Sequence, residues 1–129
     1  MILADTSIWI AYLRDDPRVR PRAKALLDEQ RMLTCGPVVA ELLAGTRGAA
    51  TEALWQSLVA LPWASLDATG WRSVGEALGE LVRQGRRIPL TDVAIGVAAA
   101  HSGAGVWTLD SHFERVADVV AGLELVGQT

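Results

Sequence analysis

The chain is poor in the residues that staple small domains together. It has 129 residues and one cysteine, Cys35, so no internal disulfide can form and no multi-cysteine zinc or iron–sulfur cage is available. Lysine is equally scarce: Lys24 stands alone among 12 basic residues, the rest being arginine. Phenylalanine and tyrosine occur once each, against five tryptophans, a choice that hints at an interface as well as a core. No apolar run reaches the roughly 18 residues of a membrane helix, although mean hydropathy is +0.24. No basic segment precedes Ile2, Leu3 and Ala4, so a secretory signal is not expected and a cytoplasmic protein is. A basic excess is missing too. The net charge of −3 argues against indiscriminate nucleic-acid binding, but divalent cations held by several acids would turn that sum positive.

What is present suits a globular domain. Hydrophobic residues make up 50% and charged residues 21%, which excludes a disordered chain. With no linker, repeat or low-complexity tract, one domain is expected over residues 1–129. Short apolar runs alternate with helical periodicity. Strands are expected at 2–4, 32–35, 63–66, 106–109 and 123–126. Helices are expected at about 8–13, 21–29, 38–43, 51–60, 67–84, 92–102 and 111–117. Asp5 to Ser7, Asp67 or Thr69, and Thr91 supply N-cap chemistry, while Gly45, Gly85 and Gly103 serve as stops. This alternation predicts an α/β fold with a central parallel sheet, ordered 3-2-1-4-5 and flanked by helices.

In such sheets ligands bind beyond the carboxyl ends of the strands, where the strand order reverses. Asp5 follows the first strand and Asp110 the fourth, so the two acids face each other there. Glu41 interrupts the apolar run 38–44, and Asp92 opens a helix that is nearly apolar all round. Lone carboxylates among aliphatics are costly unless paired or bound to metal. Each acid has a plainer reading. Asp5 and Asp110 could be caps at strand ends, Asp92 a first-turn acid favoured by the helix dipole, and Glu41 a solvent-facing residue. Together, oxygen donors without cysteine or paired histidine select Mg2+, with Mn2+ as substitute, over zinc.

Four blocks carry a resemblance: the opening through Asp5, Thr6 and Ser7; Val38 to Gly45 around Glu41; Leu90, Thr91 and Asp92; and Trp107 to Val116 around Asp110. In this order and at this size, they resemble PIN-domain ribonucleases, especially the VapC toxins of bacterial toxin–antitoxin pairs. The resemblance implies a Mg2+-dependent endoribonuclease that is neutralised by a cognate antitoxin. It implies Asp5, Glu41, Asp92 and Asp110 as the catalytic, metal-binding quartet, Asp5 and Asp92 being direct ligands of the main ion. Glu41 and Asp110 would complete the shell, and Ser7 and Thr108 would be supporting hydroxyls. Many relatives carry another acid two residues after the fourth aspartate, where this chain has His112. An outer-shell donor, a contact to RNA phosphate and a helix-terminus residue are all open for His112, the last being the plainest. His101 reads as a partner of its helix's C-terminal dipole.

Arginines should hold the RNA backbone. One group is Arg14, Arg18, Arg20, Arg22 and Lys24; the other is Arg83, Arg86 and Arg87. Arg86 and Arg87 are preferred because they precede the Asp92 helix. The segments around Trp9 and Trp55 could form a homodimer face or an antitoxin groove, or simply core. A DNA nuclease or phosphatase could use the same acids. A non-catalytic α/β switch or binding domain is the other alternative; a response-regulator-like switch lacks its late lysine, since Lys24 lies early.

Overall fold

A computed structural model describes residues 1–127; the last two residues of the expected domain lie outside the described residues. The elements run β1 (Ile2–Ala4), α1 (Thr6–Leu13), α2 (Arg20–Asp28), β2 (Met32–Leu33), α3 (Gly36–Ala44), α4 (Ala49–Val59), α5 (Ala68–Arg83), α6 (Leu90–His101), β3 (Gly105–Trp107) and α7 (His112–Val119). The sheet is parallel, in the order β2-β1-β3. Leu3 lies opposite Leu33 on one side and Val106 on the other. A single bridge from Thr34 to Trp63 extends one edge, and one from Val106 to Leu125 extends the other. The expected order 3-2-1-4-5 therefore holds, with two of its five strands reduced to bridges. Residues 63–66 and 123–126 each touch the sheet at one point, because these edges bury only one neighbour and close with few backbone bonds.

The core explains the central helix. From Val93 to Ala99 every residue of α6 is buried, because α3, α5, α7 and β3 all pack against it. A helix covered on all sides can be apolar on all sides. Gly96 makes that packing possible. A Cβ built there would lie 2.7 Å from Cγ1 of the fully buried Val116 and 3.2 Å from Cδ2 of Leu123.

Local endings differ from the sequence reading in three places. Gly45 has φ −89°, so α3 stops without the left-handed residue expected there. Thr91 does not cap α6; Pro89 takes that position, with no side-chain cap, and Thr91 lies inside the first turn. The α4 helix begins at Ala49, two residues before Thr51, behind Gly48 at φ +63°. Gly85 and Gly103 do adopt positive φ beyond α5 and α6.

The packing at Gly96 sets opposite signs for one substitution at two glycines. Gly96→Ala should lower unfolding free energy by about 1 kcal/mol or more net, since overpacking outweighs the gain in helix propensity. Gly75→Ala, on α5 with nothing within 4 Å, should raise it by about 0.5–1 kcal/mol. Urea denaturation of both variants measures the two signs.

Candidate metal centre

Because β1 and β3 are neighbouring parallel strands, their carboxyl ends open on the same edge. Asp5 leaves β1 there with its backbone N–H donating to the Trp107 carbonyl at 3.1 Å. It then caps α1: Oδ1 accepts from the Ile8 N–H at 3.1 Å. The capping reading of Asp5 is thus met, and the same carboxylate lies at the strand end where the acids are expected to meet. Its side chain is nearly sealed from water, the residue being 3% exposed.

Two hydroxyls tie this carboxylate to the loop after β3. Ser7 Oγ donates to Asp5 Oδ1 at 2.6 Å and accepts from the Leu109 N–H at 3.0 Å. Thr108 Oγ1 donates to Asp5 Oδ2 and accepts from the Asp110 N–H at 2.8 Å. Each hydroxyl donates to the acid and accepts from a backbone N–H of the loop after β3, a double role open to the small hydroxyl side chains Ser and Thr. The loop is thereby held in place, and Asp110 with it.

Glu41 projects from α3. Thr6 Oγ1 donates to its Oε1 at 2.6 Å and Thr91 Oγ1 to its Oε2 at 3.4 Å. Glu41 is therefore not a freely solvated residue. The two threonines are site residues that the sequence reading did not assign, although Thr6 adjoins Asp5 and Thr91 adjoins Asp92. Asp92 lies in the first turn of α6, its side chain 14% exposed.

His112 is the largest departure from the sequence reading. It does begin α7, and its backbone N–H donates to Asp110 Oδ1 at 2.9 Å. Its ring, however, enters the acidic cluster, with Nδ1 3.3 Å from Asp92 Oδ2 and 3.5 Å from Asp110 Oδ1. Donor atoms of Asp92, Asp110 and His112 all lie within 4.8 Å of one another. Asp5, at the end of β1, and Glu41, on α3, supply the other two acids of the implied quartet. Asp110, which the resemblance has completing the shell, stands with Asp92 beside the His112 ring.

The electrostatics link all four acids. Burial raises the Asp5 pKa above 3.8; hydrogen bonds from Ser7, Thr108 and Ile8 oppose the rise, and the charge of Asp110 adds to it. Burial likewise raises Asp92; its bond to His112 opposes this, and the charges of Asp110 and Glu41 add to it. Among the described residues none of the four acids forms an ion pair with Lys or Arg, and His112 is the one titratable base beside them. Such a donor set fits a divalent cation: hard oxygens, one imidazole, and negative charge left without a counter-charge. Cys35 is no competitor. Burial pushes its thiol up to about 11, so it stays protonated.

The expected phosphate contacts are mostly occupied. Arg86 pairs with Asp118 at 2.8 Å, Arg18 with Asp16 at 2.8 Å, Arg20 with Asp15 at 2.8 Å and Lys24 with Asp28 at 2.7 Å. Arg22 stacks 4.7 Å over the Trp107 ring. Arg87 is exposed on the loop before α6.

Relatives agree with this architecture. The chain is similar to Ribonuclease VapC11 of Mycobacterium tuberculosis and to VapC ribonuclease Mb1587 of Mycobacterium bovis. Each is 29% identical over 130 residues, covering 92% of this chain and 93% of that protein. Its fold is similar to a chain of the DNA-bound VapBC structure from Salmonella typhimurium, with TM-score 0.78 and 22% identity over 99% of this chain and 98% of that one. It is also similar to a chain of VapBC-1 from nontypeable Haemophilus influenzae, with TM-score 0.74 and 23% identity over 99% and 98%. The family model of the PIN domain matches residues 2–119, and this α/β chain with its acidic strand-end cluster belongs to the PIN domain family.

Proposed function

We propose that the protein is a Mg2+-dependent endoribonuclease and the toxin of a toxin–antitoxin pair. The observation that carries this reading is the set of four converging acids, none of them paired with Lys or Arg among the described residues, at the switch point of a PIN fold. The VapC ribonuclease relatives supply the substrate class. Asp92 and Asp110 would hold the cation. Asp5 would join them: among the described residues its Oδ2 accepts from Thr108 alone, whereas Oδ1 already accepts twice. Glu41, oriented from both sides by Thr6 and Thr91, accepts a proton from the attacking water or holds that water in line. A divalent cation in such a site lowers the pKa of water and offsets charge on the scissile phosphate. Arg87 is the readier contact for RNA phosphate, and Arg86 joins it where an incoming phosphate displaces Asp118.

The antitoxin reading has its own support. An apolar groove of about 520 Å3 between α1 and α4 is lined by Trp9, Tyr12, Leu13, Leu27, Ala50 and Leu54, among others. The buried Trp9 indole N–H finds no acceptor among the described residues. An antitoxin segment laid in the groove would cover the apolar wall and could bring that acceptor. Two copies of the chain are proposed to pair through α5. Trp71 and Val82 are exposed there and, eleven residues apart, share one helix face.

Total RNA incubated with Mg2+, with EDTA, and with an Asp5→Asn variant tests the activity. Cleavage should need the metal, and activity that survives exhaustive chelation sinks the mechanism. Hydrolysis of DNA or phosphomonoesters but not RNA would favour the other enzyme class on the same acids.

Asp5→Asn also separates catalysis from stability. Because burial raises the Asp5 pKa, the folded chain holds that proton more tightly than the unfolded chain. Its stabilisation is full below the ordinary value of 3.8 and is lost as pH rises through the raised folded value. At neutral pH the metal-free variant should therefore melt higher than the parent by a few degrees, while cleavage falls on the order of 100-fold or more. Calorimetry in EDTA and a cleavage time course measure the two effects.

A basic antitoxin side chain would compete with the cation for the four acids. Antitoxin affinity should weaken as Mg2+ rises, and also in Glu41→Gln and Asp110→Asn. Titration calorimetry that finds the same affinity in every case would place inhibition away from the acids.

A further inference from the structure

We propose that Nδ1 of His112 is itself a ligand of the divalent cation and shifts the preference of the site from Mg2+ toward Mn2+. The inference rests on the metal-centre reading above and adds a nitrogen ligand and a metal preference to it.

Three observations carry it. The first is anchoring. The His112 backbone N–H is fixed to Asp110 Oδ1 at 2.9 Å, and the residue starts α7, so the ring pivots from a fixed base. The second is position. Nδ1 stands between two acids, 3.3 Å from Asp92 Oδ2 and 3.5 Å from Asp110 Oδ1, where a plain ion pair would need only one of them. Adjacent corners of an octahedron with bonds of about 2.1 Å are about 3 Å apart. Both nitrogen–oxygen separations are within a few tenths of an ångström of that edge, and all three donor atoms lie within 4.8 Å of one another, close enough to share one ion. The third is freedom. The His112 side chain is 40% exposed, and its ring makes no other hydrogen bond among the described residues.

The metal preference follows from ligand chemistry. Mg2+ is hard, keeps its waters and favours oxygen, so an imidazole adds little to its binding. Mn2+ shares the carboxylate preference of Mg2+ but, as a first-row transition ion, gains more from a nitrogen donor than Mg2+ does, although less than the later metals of the row. Replacing an oxygen donor by a neutral nitrogen also lowers the negative charge of the site, a loss felt most by the ion that relies on charge alone.

The test measures binding without reading activity. Parent, His112→Asp, His112→Gln, His101→Gln and Asp92→Asn are titrated with Mn2+ alone and with Mg2+ alone by calorimetry. The Mn2+ forms are then examined by pulsed electron paramagnetic resonance for 14N coupling. Aspartate suits the first position of α7, where the helix dipole favours an acid, and melting of the metal-free variants checks that the fold is kept. Nitrogen coupling should appear in the parent and in His101→Gln and vanish in both His112 variants. The ratio of Mn2+ to Mg2+ affinity should fall about tenfold in His112→Asp. Saturable Mn2+ binding without nitrogen coupling, or an unchanged ratio, overturns the role of His112 and leaves the acidic metal centre standing. Binding too weak to saturate, or equally strong in Asp92→Asn, overturns the metal centre and this inference with it.

Discussion

The carboxylate of Asp5 is the constraint on which the site depends. Burying a charge among aliphatics is costly, and here the opposing terms are local and few. Ile8, Ser7 and Thr108 supply three donors, and among the described residues no guanidinium or ammonium does. Charge-assisted hydrogen bonds of this kind are each worth about 1.5–3 kcal/mol. They hold the group in place without abolishing the rise in its pKa. Those bonds reach across from β1 to the extension of β3, so the geometry that tolerates the charge also fixes where Asp110 sits. Removing the hydroxyls would loosen the loop as well as expose the acid.

Parallel pairing gives this arrangement its reach. Asp5 and Asp110 come from segments about a hundred residues apart, yet both leave neighbouring strands at the same edge. Helix α6 then delivers Asp92 from its first turn, and α3 delivers Glu41. Each of these helices packs on the other, and α6 packs on β3. The acids therefore ride on four elements of one hydrophobic cluster. Repulsion between them is held mainly by packing, since among the described residues none of them pairs with Lys or Arg and His112 alone stands beside two of them. That is why the close contact of Gly96 with Val116 matters to the site. It sets how near α6, carrying Asp92, approaches α7, whose first residue is His112.

Much of this could be read from residues alone, for identifiable reasons. The strand-then-acid pattern at Asp5 and at Asp110 survives because each acid sits where a buried strand ends and a turn begins. The two edge strands were less legible. A two-sided strand announces itself by apolar continuity, but residues 63–66 and 123–126 meet the sheet through one bridge each, and neither forms a continuous ladder. Thr91 looked like a cap because a hydroxyl before an acid and an apolar run is the usual signature. Glu41, distant in sequence, takes its hydroxyl instead. The direction of the His112 ring depends on how α7 is set against α6, and no local pattern encodes that rotation.

The placement of the arginines suits the proposed action of an acidic protein on a polyanion. Asp15, Asp16 and Asp118 occupy Arg20, Arg18 and Arg86, so these bases carry little net field in the free chain. Such exposed pairs are weak, about 0–1 kcal/mol each, and a phosphate can displace the carboxylate at small cost. Among the described residues the four acids of the centre have no Arg or Lys partner. A divalent cation entering there relieves repulsion that the fold otherwise carries, and it stabilises the folded state by mass action. The chain thus has its strong, buried electrostatic demand where a cation belongs and its weak, exchangeable pairs where a backbone would pass. Had the arginines been paired with the buried acids instead, the cation would have had to displace a guanidinium before any chemistry could begin.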